Sequence, residues 1–179
     1  MGFSDSSSLL KTALAVFPLA LILHIVGLAT PSWATNSGSS GGISFRVTAG
    51  LWKQCNTVHG ETECIIYPQP EDWQKACQAF GIIGVLAVSA AAILEGLCTV
   101  LLTKSKHKIF FIATTLLAFL GAGSIILTAI IWAAKIFELQ LTDLVLSWSF
   151  GLSIAGAVLS GVGGILMAID LCQNSNIYS

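Results

Sequence analysis

Residues 50–64 read GLWKQCNTVHGETEC, and the reading of this stretch decides the fold. Gly50, Leu51 and Trp52 lead into Cys55, and Cys64 follows after a turn that contains His59, Gly60 and Glu61. Two cysteines flanking a short glycine-containing hairpin pair with one another in an oxidising compartment. The staple has a physical use, because a few short strands bury too little surface to be stable alone. Upstream, Ile43-Ser44-Phe45-Arg46-Val47-Thr48 alternates apolar and polar residues with period two, as a half-exposed strand does. Before that, Ser37-Gly38-Ser39-Ser40-Gly41-Gly42 has the composition of a flexible turn. Downstream, Glu71-Asp72-Trp73-Gln74-Lys75 reads as a short amphipathic helix leading into the second span.

The chain on either side is unlike a soluble domain. Of its 179 residues 55% are hydrophobic and only 9% are charged, where soluble domains carry about 25% charged residues. A bilayer core of roughly 30 Å takes about 20 mostly apolar residues as a helix, since nothing in lipid satisfies an open backbone. Four stretches meet that demand, at about 12–30, 79–102, 109–134 and 148–171. Pro31 closes the first, because proline cannot continue an ordinary helix. The first stretch is also too long for the core of a cleaved signal peptide, which spans about 7–15 residues.

The links set an expected orientation. Residues 103–108 hold Lys104, Lys106, His107 and Lys108, and lysine excess marks the cytoplasmic side. Residues 1–11, 103–108 and 172–179 are then cytoplasmic, with both termini inside, and 31–78 and 135–147 face outward. Trp33, Trp73, Trp132 and Trp148 each fall at the outer end of a span, where their rings are expected at the headgroup layer. Small residues repeat every four positions at Gly156, Ser160 and Gly164, and again at Ala87 and Ala91. Such stripes serve either a second copy or close packing within the bundle, and the second reading is the one expected.

A tryptophan after the first span, then Gly-Leu-Trp, then two cysteines before the second span together resemble the signature of the claudin superfamily. That group includes claudins, the peripheral myelin and epithelial membrane proteins and the lens fibre membrane protein. Here the signature stands at Trp33, Gly50, Leu51, Trp52, Cys55 and Cys64, and span number and loop order agree over essentially the whole chain. The resemblance implies a membrane α-helical fold: a left-handed four-transmembrane-helix bundle topped by a small extracellular antiparallel β-sheet, with an edge strand from the second outer loop. It also implies self-association through that sheet, within one membrane and across to the next cell, at plasma-membrane junctions. In pore-forming claudins the positions matching Asn56 and Glu63 line the path between cells, and Glu61 with Glu63 would give such a path a negative field favouring cations. The runner-up is a tetraspan accessory subunit of a channel or receptor, or a myelin-protein-like membrane organiser. Membrane lipid, the chain itself and other claudin-like proteins are the expected partners.

No catalytic constellation and no metal-ligand spacing are visible, and no cofactor is expected. His24, His59 and His107 fall on a span, a hairpin and a cytoplasmic link. A net charge of −1 with no basic stripe argues against nucleic acid. Cys98 and Cys172 lie near the cytoplasmic ends of their spans and are candidates for palmitoylation, or else small buried hydrophobes. Cys77 is expected as a buried thiol rather than a cross-link between copies. Glu95 is the one acid well within a span, where an unpaired charge is expensive. It is expected to pair with Lys104, to reach interfacial water, or to serve as a neutral hydrogen-bonding group in the bundle. His24 is expected as a bundle residue.

Overall fold

The computed structural model describes residues 7–40, 42–100, 107–138 and 144–173. Lys104 and Lys106, and with them the expected Glu95–Lys104 pair, lie outside the described residues, as does 174–179. The elements run α1 (Ser8–Ala29), β1 (Ala34–Ser40), β2 (Ile43–Ala49), β3 (Lys53–Val58), β4 (Glu61–Ile66), α2 (Asp72–Val100), α3 (His107–Glu138), β5 (Val145–Leu146) and α4 (Trp148–Gln173). All four helices are long and apolar enough to cross a bilayer.

α1 is opened by Ser7, whose hydroxyl accepts from the Leu10 amide at 3.1 Å. Pro18 sits inside this helix without ending it. In an apolar setting neighbouring helices tolerate the one missing backbone donor, and only Pro31 acts as a stop. α2 and α3 hold 29 and 32 residues, or about 44 and 48 Å at the helical rise. Both outrun a bilayer core of about 30 Å, and both extend the expected spans at the end that carries the sheet. The amphipathic segment expected at Glu71–Lys75 leads into the second span without a break: from Asp72 it is the first turn of α2. No glycine or proline separates Asp72 from Ala79, so nothing interrupts the hydrogen-bond ladder.

The bundle is a ring in which α1 packs chiefly on α4, α4 on α3 and α3 on α2, with a sparser α1–α2 contact. Small residues set the spacing. A Cβ at Gly156 would lie 2.8 Å from the Ala20 carbonyl oxygen and 3.1 Å from the His24 Cβ. Ser160 donates to the Ala118 carbonyl at 3.0 Å, and a Cβ at Gly164 would meet that of Ala118 at 3.2 Å. Ala87 and Ala91 are buried as well. Both stripes thus serve packing within the bundle.

Five antiparallel strands form the sheet in the order β4-β3-β2-β1-β5. The expected strand at 43–48 is β2. The expected turn at 37–42 is corrected, because Ser37–Ser40 belong to β1, paired with β2 from Ala34↔Ala49 to Ser40↔Ile43. Pairing to a strong strand outweighs weak strand propensity. Gly38 contributes too, since the Phe45 ring lies where a Cβ would be, with its Cζ at 2.8 Å. β5, from the second loop, pairs with β1 through Ala34↔Leu146 and Thr35↔Val145.

Candidate interaction surface

The sheet is fastened to the bundle where α1 ends. A helix leaves its last carbonyls without internal partners, and Pro31 prevents α1 from continuing. Two indoles supply the missing donors. Trp33 Nε1 donates to the Gly27 carbonyl at 2.7 Å, and Trp52 Nε1 donates to the Leu28 carbonyl at 2.9 Å. Gly50 brings the second indole into place: its backbone lies so close to the first link that a Cβ would stand 2.5 Å from Pro31 Cα and 2.9 Å from the Thr30 carbonyl oxygen. Leu51 is buried between them, and its carbonyl accepts from Gln78 Nε2 of α2 at 2.8 Å. Backbone bonds from Trp33 to Ala49 and from Ser147 to Trp33 tie in β2 and the second loop, at 3.0 and 2.9 Å.

The tryptophans correct an expectation. Trp33 and Trp132 are fully buried, and Trp73 packs against Trp132 with ring centroids 5.5 Å apart. Trp33 meets Trp132 at 5.6 Å and Phe150 at 5.7 Å, both edge-to-face. Trp148, 54% exposed, remains open to a headgroup layer, and Trp73 is half-buried. Rings at the sheet end have a better partner than lipid, because edge-to-face contacts and buried area are available together.

The hairpin has the expected form. β3 and β4 are joined by His59 and Gly60, with φ of 53° and 85°, the left-handed pair that a type I′ two-residue turn requires. Cys55 and Cys64 stand directly opposite in register and are disulfide-bonded, their Cα atoms 4.0 Å apart. Register then assigns every side chain to a face, because alternate residues of a strand point to opposite sides. On one face run Asn36, Val47, Asn56 and Glu63 in a row, with Gly38, Phe45, Val58 and Glu61 in the next. On the other run Ser37, Arg46, Thr57 and Thr62, with Thr35, Thr48, Cys55 and Cys64 below them. Asn56, Glu61 and Glu63 are therefore brought together on one face, and Arg46 and Lys53 are kept to the opposite one. Asn56 accepts from Gln54 Nε2 at 3.3 Å.

Residues 6–167 match the model of the PMP-22/EMP/MP20/Claudin family. The chain belongs to that family. Its signature residues Trp33, Gly50, Leu51 and Trp52 are accordingly the ones that root the sheet, and Cys55 and Cys64 are the ones that staple it. A family member of this kind is a tetraspan membrane protein, and its sheet takes four strands from between α1 and α2 and one from between α3 and α4.

Other residues singled out from the sequence of this family member divide clearly. Cys77 is buried, with its thiol 3.7 Å from the Thr128 carbonyl oxygen, while Thr128 donates to the Cys77 carbonyl at 3.3 Å. Cys98 is packed in the bundle core, whereas Cys172 is exposed. His24 is a bundle residue whose Nε2 lies 3.0 Å from the Gly81 carbonyl oxygen, linking α1 to α2. Glu95 is fully buried, and neither carboxyl oxygen has a hydrogen-bond partner among the described residues. Among them no group of three or more His, Cys, Asp or Glu side chains could hold a metal ion. Sequence reasoning missed the caps on α1. The signal was present in Pro31 and two nearby tryptophans, but only the fold shows which carbonyls the indoles reach.

Proposed function

We propose that this family member is a cell–cell junction protein whose sheet, on the outer side of the plasma membrane, associates with other copies beside it and across the intercellular gap. It forms a barrier or a cation-tolerant path there. The observation that carries this reading is the segregation of charge on a sheet rooted in the bundle. Asn56, Glu61 and Glu63 share a face that holds no cation among the described residues. Such a face has an unopposed negative field, which raises the local concentration of cations and lowers that of anions. In this reading the end of the bundle away from the sheet, with both termini, is cytoplasmic, and the lysine excess in the sequence of residues 103–108 supports it. Cys172, exposed at that end, is the accessible candidate for acylation.

Two experiments test the proposal. A tagged copy in non-adherent cells should concentrate at contacts where both cells express it, and Cys55→Ser/Cys64→Ser should lose that enrichment while still reaching the surface. Uniform staining of the unsubstituted protein would sink self-adhesion and favour a partner channel or receptor in the same membrane. In an epithelial monolayer, Glu61→Lys/Glu63→Lys should reverse the preference for sodium over chloride. An unchanged ratio would remove these two acids from the path.

A further inference from the structure

The face of the sheet opposite the acids has a chemistry of its own. Its central row is Ser37, Arg46, Thr57 and Thr62, one residue from each of four neighbouring strands, and Ser39 pairs with Ser44 in the row beyond. These six residues, together with Gly38, Phe45 and Gly60, line an open cleft of about 670 Å³ at the distal part of the sheet. Thr57 and Thr62 hydrogen-bond to each other at 2.9 Å, while the side chains of Ser37, Ser39, Ser44 and Arg46 have no partner among the described residues. No carboxylate lies on this face among the described residues, since Glu61 and Glu63 belong to the other side.

We propose that this cleft binds an acidic sugar, that is, a saccharide unit carrying a carboxylate. The argument is one of matched groups. A guanidinium offers two parallel donors in the geometry a carboxylate accepts. Around it, five hydroxyls each donate once and accept twice, which suits the alternating donors and acceptors of sugar hydroxyls. An apolar ligand would leave Arg46 and the hydroxyls without partners, and a lone small anion would leave most of the cleft, Phe45 included, unused. Pairing to neighbouring strands fixes the spacing of the row, so the hydroxyls are positioned before any ligand arrives. A free oligosaccharide, a glycoprotein glycan and a glycolipid headgroup share this chemistry. The site does not depend on self-association of the sheet.

The test uses the full chain in phosphatidylcholine nanodiscs and saturation-transfer NMR with 3′-sialyllactose, lactose and sodium sulfate as probes. Sialyllactose should bind, lactose should bind at least about tenfold more weakly, and Arg46→Gln should weaken sialyllactose about tenfold, the loss expected of one charged hydrogen-bonding group. Glu61→Gln/Glu63→Gln should leave binding unchanged, because those acids face away. Equal binding of lactose, or an unaltered Arg46→Gln protein, would overturn the proposal. Competition by sulfate at equal concentration would reduce the cleft to a simple anion site and overturn the sugar. Arg46 is exposed and outside the sheet root, so the variant folds, and an intact Cys55–Cys64 bond confirms it. With binding established, sialidase treatment of cells followed by surface labelling with soluble glycans separates a membrane-borne source from a free one.

Discussion

At the scale of single residues, the sheet root is the sharpest point of the molecule. Trp52→Phe keeps the ring but removes the donor to the Leu28 carbonyl. Leaving a half-buried carbonyl unpaired costs about 1–3 kcal/mol, so thermal unfolding in detergent should shift downward by that equivalent. Gly50→Ala meets backbone atoms of Pro31 and Thr30 and not a flexible side chain. Overpacking of this kind costs about 1–3 kcal/mol, and the expected readout is poor delivery to the cell surface. Burial pushes the Tyr67 phenol above its ordinary value. Below about pH 10 the phenol is neutral folded or unfolded; above it the unfolded chain ionises first. Stability therefore falls on the alkaline side, and Tyr67→Phe should flatten that limb of a stability–pH curve. In the bundle, Glu95→Met removes two buried oxygens that have no partner among the described residues. It should raise the melting temperature, and a fall would mean that Glu95 has a partner beyond them.

At the scale of elements, the disulfide and the turn divide the work of holding the hairpin. Closing a loop of this length stabilises by about 2–3 kcal/mol through the unfolded chain. Cys55→Ser/Cys64→Ser should therefore loosen β4, the outermost strand, while β1, β2 and β5 stay on the bundle through Trp33 and Ala49. Amide exchange is the direct measurement: protection should drop in 61–66 and hold in 43–49. Gly60→Val forces a β-branched residue to a φ of 85°, and the same strand should fray. The elements also show what was legible in advance. Four spans could be read because a bilayer demands long apolar helices and tolerates little else. β2 could be read because its residues alternate. β1 could not, since Ser-Gly-Ser-Ser is a strand only when a partner such as Phe45 covers Gly38. The start of α2 was legible as an amphipathic helix leading into the span, while the unbroken hydrogen-bond ladder that makes the two one element shows only in the fold.

For the whole molecule, the four helices depend on small residues that admit large ones. His24 fits the bundle centre because Gly156 and Gly84 leave room for it; a Cβ at Gly84 would approach its Nε2 to 3.2 Å. Gly156→Leu drives a side chain into the α1 backbone and should destabilise by about 3 kcal/mol, seen as intracellular retention. It should not simply convert an oligomer into a monomer, as a substitution on an outward face would. The candidate surface was only half legible at this scale. Asn56, Glu61 and Glu63 could be picked out by position, but their common face, and the separation of Arg46 from them, required the register of four strands. The same is true of Trp33, Trp73 and Trp132, which sequence position sends to the headgroups and tertiary contact draws into one cluster.

The staple also bears on how the molecule takes tension. If a neighbouring cell pulls on β4, the strand would ordinarily peel from the sheet one backbone bond at a time. The covalent bond between Cys64 and Cys55 passes that pull into β3 at its middle. From there it runs three residues along the chain to Trp52, whose indole grips the end of α1. The outermost strand is thus tied by a short line to the first membrane-crossing helix, and force applied at the tip reaches the bilayer without first unravelling the sheet.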